Sequence, residues 1–315
     1  MANPANPALP RRFLEAAARR GPTLLAASIF GGVAIPPLAH ATHGFILPTV
    51  LIMMTLVLLR VDLPGTLAHL RRPAQSALMV AFLLLACPIL ARAATRLIPL
   101  DPGIAAGCVI FATGCAATSS PAFARLVGLD PELSLVVTLA TTLLVPLVAP
   151  PMALLLLGID LHIGTGTFIA KLATVVGLPL LFSLLLRPLL GPARLAAWAL
   201  ALDGILVCAL VLYGLAVMDG VAARAVTDPA WVIEALVAAF AIDYGLNLAT
   251  TAAFARAGRV PALTAGLMSG NRNMALYLAV LPAAADPRIA LFFGLCQFPL
   301  YLSPFLLRPV YRRWA

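Results

Sequence analysis

Three adjacent polar residues, Asn271-Arg272-Asn273, stand in the middle of a long apolar run, directly after Ser269-Gly270. With 3.6 residues per helical turn, three in a row cannot share one polar face, so the run points to a local unwinding. Unwound backbone offers free carbonyls and amides that coordinate a cation or an anion. The guanidinium adds a planar fork suited to a carboxylate or sulfonate. A second run of this kind is Thr113-Gly114-Cys115-Ala116-Ala117-Thr118-Ser119-Ser120-Pro121, which is small, hydroxylated and closed by a proline. Gly114, Pro121 and Gly270 mark the breaks, because proline removes a backbone donor and glycine loosens a helix. Beyond the first run, Ser134 and Thr138 are four residues apart and therefore share one helix face. Their hydroxyls, like those of Thr141 and Thr142, have an alternative use in bonding back to helix carbonyls.

The elements that must hold these residues follow from composition. Of 315 residues, 62% are hydrophobic and 10% are charged, and the mean hydropathy is +1.03. A soluble domain carries about a quarter charged residues, so this chain cannot clothe itself in a wetted surface. Apolar runs of bilayer-crossing length, roughly 20 residues, follow one another from end to end. We place them at 22–40, 43–60, 74–98, 103–127, 131–158, 166–190, 195–219, 229–256, 260–282 and 286–308. They read as helices, which satisfy their own backbone in lipid. An arginine at the bilayer centre costs about 2.5–3.5 kcal/mol, so Arg272 needs a polar cavity and a partner. Asp243, with Asn247 one turn along the same face, is the expected partner, and a purely structural ion pair would satisfy both charges equally well.

With ten spans and an inner N-terminus, fifteen basic residues, from Arg11 to Arg313, fall in inner segments. Five fall outside: Arg92, Arg96, Lys171, Arg224 and Arg288. This positive-inside bias implies an integral protein of the cell (inner) membrane with both termini cytoplasmic. It also accounts for the net charge of +9 without nucleic acid. Arg11-Arg12, an apolar run and Ala39-His40-Ala41 also fit a cleavable signal peptide; ten retained helices keep the symmetry described next.

Thr113-Gly114 returns as Ser269-Gly270, Asp130-Pro131 as Asp286-Pro287 and Pro73 as Pro229, all at one constant offset. Each half then has five spans, so the second copy enters the membrane from the opposite face. Two inverted halves with interrupted helices in matching places are the pattern of secondary transporters, whose site forms near the midplane. The expected fold is therefore all-α, a five-plus-five inverted repeat whose fourth and ninth helices are broken and cross. No His-Glu-x-x-His, paired catalytic carboxylates or nucleophile with a base is present, which argues against an enzyme, and no repeated filter argues for a channel. The four histidines, His40, His43, His69 and His162, fall in loops near the interfaces. Glu234 and Asp203 lie near span ends. The five cysteines form no close pair, so neither disulfides nor zinc are expected.

At these residues the chain resembles the bile acid:sodium symporters, within the wider group that includes auxin efflux carriers. The stretch from Gly114 to Pro151 resembles the family's fourth and fifth helices, and Gly270-Asn271-Arg272-Asn273 its second break, where the pattern is Glu-x-Gly-x-Gln-Asn. Arg60-Val61-Asp62-Leu63 followed by Arg71-Arg72-Pro73 resembles its second-to-third connection. The resemblance implies a core of 74–158 and 229–308, a panel of 22–60 and 166–219, and a cytoplasmic segment 1–21. In the family, sodium binds behind the crossing and an organic anion in the cleft between core and panel. Carried over, Ser120, Ser134 and Thr138 match three hydroxyl ligands of a sodium site. The family's neighbouring asparagine is Pro121 here, its glutamate Met268, its glutamine Arg272, and the glutamine of its third helix falls near Phe82 or Leu83.

Arg272 thus puts a fixed charge where the family keeps a neutral ligand of a mobile cation. It is expected to replace a sodium ion at the crossing or to pair with the substrate. The expected cargo is a small organic anion, with sodium as the coupling ion, no other cofactor and no obligate protein partner besides the lipid bilayer. The alternative is a proton-coupled or uncoupled carrier that uses Asp243 and Arg272 in place of sodium.

Overall fold

The computed structural model describes residues 9–60, 73–157, 165–281 and 286–314. Val61-Asp62-Leu63, Arg71-Arg72, His69 and His162 lie outside them. In chain order the helices are α1 (Leu9–Arg19), α2 (Gly21–Ala34), α3 (Pro36–Thr42), α4 (Ile46–Arg60), α5 (Pro73–Ala81), α6 (Cys87–Leu97), α7 (Pro102–Thr113), α8 (Ser120–Val127) and α9 (Pro131–Leu157). They continue as α10 (Thr165–Ala197), α11 (Ala199–Ala216), α12 (Val221–Thr227), α13 (Pro229–Ala253), α14 (Arg259–Gly270), α15 (Ala275–Val280), α16 (Pro287–Leu295), α17 (Gln297–Leu306) and α18 (Arg308–Trp314). A π-helical turn, Phe82–Ala86, joins α5 to α6. Seven stretches among the described residues are long and apolar enough to cross a membrane: Pro36–Leu59, Pro73–Leu97, Pro131–Leu157, Gly166–Ala197, Ala199–Thr227, Pro229–Ala253 and Pro287–Arg313. Large side chains left bare along them, such as Leu147, Leu155 and Leu248, suit lipid better than water.

Proline placement explains many boundaries. Helices α7, α9, α13 and α16 each open on an Asp-Pro pair, and Asp101, Asp130, Asp228 and Asp286 accept from amides of the first turn. The proline supplies a preset φ where no amide partner is needed, and the carboxylate caps the end, together worth about 1 kcal/mol or more per helix. The first two expected spans, 22–40 and 43–60, are redrawn. Pro36 forces Ile35 out of the helical region, to φ −125° and ψ 74°, so the break falls there and the next span begins at Pro36. His40 accordingly lies in α3 and His43 in the 3₁₀ turn after it. The polypeptide around Gly191 (φ 72°, ψ 154°) interrupts α10 as expected between 190 and 195.

The chain divides into two compact units, Met1–Val61 with Gly177–Asp219 and Asp62–Val176 with Gly220–Ala315. In the first, α1 to α4 pack on α11. Gly204 lets the Leu14 carbonyl lie directly on α11, where any Cβ would overlap it. Arg11 donates to the Ala197 carbonyl and its guanidinium lies over the Trp198 ring. His40 and His43 both set Nδ1 against Asp219 Oδ2, at 3.2 and 3.3 Å.

The second unit holds the interrupted helices. Its tightest pair is α13 with α14. One core joins Met79, Leu83 and Leu84 to Ala116, Val137 and Met268; another joins Phe123 and Val127 to Leu263, Leu267 and Tyr311. At one end Arg288 donates to Asp101 at 2.8 Å and pairs with Asp286 at 2.7 Å. Glu234, half-buried near the start of α13, accepts from the Asp101 amide at 2.9 Å, so α13 is tied to the start of α7.

Candidate functional site

Helix α7 stops at Thr113 and α8 begins at Ser120; α14 stops at Gly270 and α15 begins at Ala275. Between them the two open segments pair. Ala116 and Arg272 form an isolated antiparallel bridge, with Ala117 N donating to Asn271 O at 2.8 Å and Asn273 N to Cys115 O at 2.9 Å. Four backbone groups released by the two breaks thus satisfy one another where lipid offers no partner. The Ala116 amide donates to Thr141 Oγ1 at 3.2 Å, anchoring the first segment to α9. Thr113 Oγ1 and Tyr277 OH, 2.7 Å apart, join α7 to α15. Gly270 is required by close approach: a Cβ there would sit 2.6 Å from both the carbonyl oxygen and Oδ1 of Asp243.

Arg272 is 1% exposed. Its Nε donates to Ser269 O at 2.8 Å, Nη1 to Gly114 O at 2.7 Å and Nη2 to Leu83 O at 3.1 Å. All three acceptors are carbonyls where a helix is disturbed: the end of α14, the end of α7 and the π-helical turn after α5. Carbonyls at helix C-termini carry partial negative charge, so two helix ends and the π-helical turn share the hydrogen bonding of one cation. Asp243, the expected partner, is 1% exposed, yet no hydrogen bond or ion pair joins it to Arg272 among the described residues. Both its oxygens are buried without a hydrogen-bond partner. The Asp243 carboxylate nonetheless lies against Gly270 and within reach of the Arg272 charge, while the unwound backbone supplies the hydrogen-bond acceptors, which no residue type announces. Asn247 is likewise engaged elsewhere, its Nδ2 donating to Tyr311 OH at 2.6 Å.

The hydroxyls separate into two groups. Thr141 and Thr142 bond back to carbonyls of Val137 and Thr138. Ser120, Ser134 and Thr138 are at most 2% exposed, and their hydroxyl oxygens, together with Asn271 Nδ2, are buried without a hydrogen-bond partner among the described residues. Ser120 opens α8 right after the first interruption, and α8 packs on α9, which carries Ser134 and Thr138. An unpaired buried hydroxyl costs about 1–3 kcal/mol. Hydroxyl oxygens of this kind are hard donors, the type that cations such as sodium accept as ligands. Asn273 is 9% exposed and Asn271 1%, so both belong to this buried polar centre. Pro121 lies in the first turn of α8, where proline is tolerated.

The sequence did not reveal Tyr277 or Tyr311 as parts of this centre, whereas the family resemblance already brings Phe82 or Leu83 to it. The π-helical turn itself leaves no trace in Phe82–Ala86, which is apolar throughout. Among the described residues no group of three or more His, Cys, Asp or Glu side chains could hold a metal ion.

The Sodium Bile acid symporter family model matches residues 47–228. That stretch contains the first interruption with Ser120, Ser134 and Thr138, and stops before Asp243 and Arg272. Among curated proteins none matches the chain.

Proposed function

The chain belongs to the Sodium Bile acid symporter family, and on that premise we propose that it is a secondary carrier moving a small organic anion by alternating access. The observation that carries this reading is the pairing of Cys115–Ala117 with Asn271–Asn273 between four apolar helix ends. Irregular backbone at membrane depth is tolerated where it lines a site, and paired breaks from two halves are how inverted-repeat carriers build one. Seven long spans, the short apolar α2 and the two interrupted pairs α7/α8 and α14/α15 together make ten crossings in two sets of five. The N-terminal segment and α18 then lie on the cytoplasmic side of the cell membrane. The unit of Asp62–Val176 with Gly220–Ala315 serves as the core and the other as the panel.

Coupling is to sodium, which is cargo here and not a resident cofactor. Ser120, Ser134 and Thr138 would hold it, since their buried hydroxyls have no protein partner. Arg272 serves as a built-in cation that holds the two interruptions together. Its three engaged donors point at carbonyls, which favours this role over pairing with the transported anion. The carried anion is an organic carboxylate or sulfonate, with Asn271 and Asn273 near its path. The test is uptake into proteoliposomes. Replacing sodium by choline should abolish accumulation, and unchanged accumulation would remove sodium from the mechanism.

A second reading has its own observation. The Asp243 carboxylate, buried with neither oxygen bonded, would bind a proton and carry coupling in place of sodium. A protonophore then stops uptake while choline does not.

A further inference from the structure

At the head of α14 a cavity of about 410 Å³ is lined by Thr251, Ala255, Arg259, Ala262, Leu263 and Arg313. Two of its six lining residues are arginines and none is acidic. Among the described residues neither guanidinium has a hydrogen-bond or ion-pair partner, whereas Arg11, Arg224, Arg272 and Arg288 all do. Thr251 also contributes to the wall, with its Oγ1 turned onto Gly266. The remaining wall is apolar, from Ala255, Ala262 and Leu263.

The position of Arg313 is fixed despite its place near the end of the chain. Two residues earlier, Tyr311 is 2% exposed, packs among Phe123, Leu263 and Leu267 and accepts from Asn247. That anchor holds the last turn of α18 beside α14. Arg259 is the first residue of α14, where the helix dipole opposes a cation. Two unpaired cations facing one cavity repel each other as well. Both costs vanish when an anion lies between them.

We propose that this cavity binds a phosphate group, and that its ordinary carrier is the headgroup of an anionic phospholipid. Arg259 and Arg313 clamp the phosphate oxygens, Thr251 lines the wall, and the apolar residues accept the first carbons of the glycerol. Basic pockets between membrane-spanning helices recognise lipid headgroups through this combination of charge and apolar wall. The site lies on α14, the helix that ends at Gly270, so an occupied pocket stiffens the element that presents Arg272. It does not depend on which anion the chain carries or on the coupling ion.

The test uses the full chain in phosphatidylcholine nanodiscs, with and without phosphatidylglycerol, and separately with inorganic phosphate. Phosphatidylglycerol should raise the melting temperature by a few degrees. The Arg259→Gln/Arg313→Gln double variant should lose that rise, and Arg256→Gln, an arginine outside the lining, should keep it. A rise with inorganic phosphate as well assigns recognition to the phosphate itself; a rise with the lipid alone assigns it to the whole headgroup. Either single substitution should weaken phosphate binding about tenfold, the loss of one charge-assisted contact. The proposal is overturned if neither probe shifts the wild type, if the double variant retains the shift, or if Arg256→Gln abolishes it equally. Should the double variant not fold, Arg313→Gln alone decides, since its exposed side chain bears no packing. Sodium-driven uptake in pure phosphatidylcholine should survive all these substitutions, so failure here is separable from failure of the carrier reading.

Discussion

The two interrupted segments have opposite electrical needs. Around Gly114–Ser119 the side chains are small, and the neighbouring hydroxyls of Ser120, Ser134 and Thr138 are left without donors or acceptors. Around Asn271–Met274 a guanidinium is present and its donors are spent on Ser269, Gly114 and Leu83. One break lies beside hydroxyls without a hydrogen-bond partner among the described residues, and the other carries a cation covalently. On the proposed reading, the two breaks differ in whether the balancing charge is free to leave. The carbonyl of Gly114 belongs to the first break yet is solvated by the second, so neither break is stable alone.

That asymmetry can be broken most severely at Arg272. Arg272→Gln strips donors from three buried carbonyls at about 1–3 kcal/mol each. It should abolish uptake and lower the melting temperature while the protein still inserts, as judged by yield in membranes; wild-type uptake would end the built-in-cation role. Gly270→Ala should come next. Its Cβ would meet backbone of Asp243 at 2.6 Å, so we expect about 1–3 kcal/mol of lost stability and much reduced transport. Gly114→Ala tests the other break more gently, because its nearest obstacle, 2.9 Å away, is the flexible end of Met274.

Finer substitutions sharpen the contrast. Ser134→Ala and Thr138→Val remove orphaned hydroxyls, so sodium-free stability should hold or rise, while sodium affinity from titrated uptake falls about tenfold for each ligand lost. A fall in sodium-free stability would mean these hydroxyls are bonded within the protein. Asp243→Asn should leave folding nearly unchanged, since neither oxygen accepts a hydrogen bond. If uptake persists with its choline sensitivity, sodium coupling stands; if uptake loses its response to a protonophore, the proton reading takes over. Smallest of all, Tyr311→Phe removes the acceptor of Asn247 and should cost about 1 kcal/mol, visible in thermal unfolding.

Much of this centre could be read in the residues themselves. Glycine, proline and stranded polar side chains in apolar runs located both interruptions, because in lipid such residues have few other uses. Four Asp-Pro pairs stand at helix starts for a local reason, the capping carboxylate, a signal present in the sequence that span lengths alone do not use. Distances between partners were not legible. Arg272 lies far along the chain from Gly114 and Leu83 and bonds to their backbones, whose chemistry is the same at every position. Phe82–Ala86 forms a π-helical turn whose Leu83 carbonyl accepts from Arg272, and nothing in five apolar residues foretells that geometry. Asp243 is expected as the partner of Arg272 on charge, and the two charges do interact; the hydrogen bonds of the guanidinium, however, go to backbone carbonyls. The Ile35 break was missed because hydropathy runs unbroken through Pro36-Pro37, although the proline pair itself was the clue.

A guanidinium fixed to the chain returns with the protein after every turnover. It can hold a crossing together as a bound ion would, yet it never passes from one compartment to the other and so draws nothing from a gradient. A carrier that replaces one travelling ion by a side chain gains permanence in its scaffold and forgoes that ion's share of concentrating power. The steepest substrate gradient it can sustain is set only by the ions that still leave.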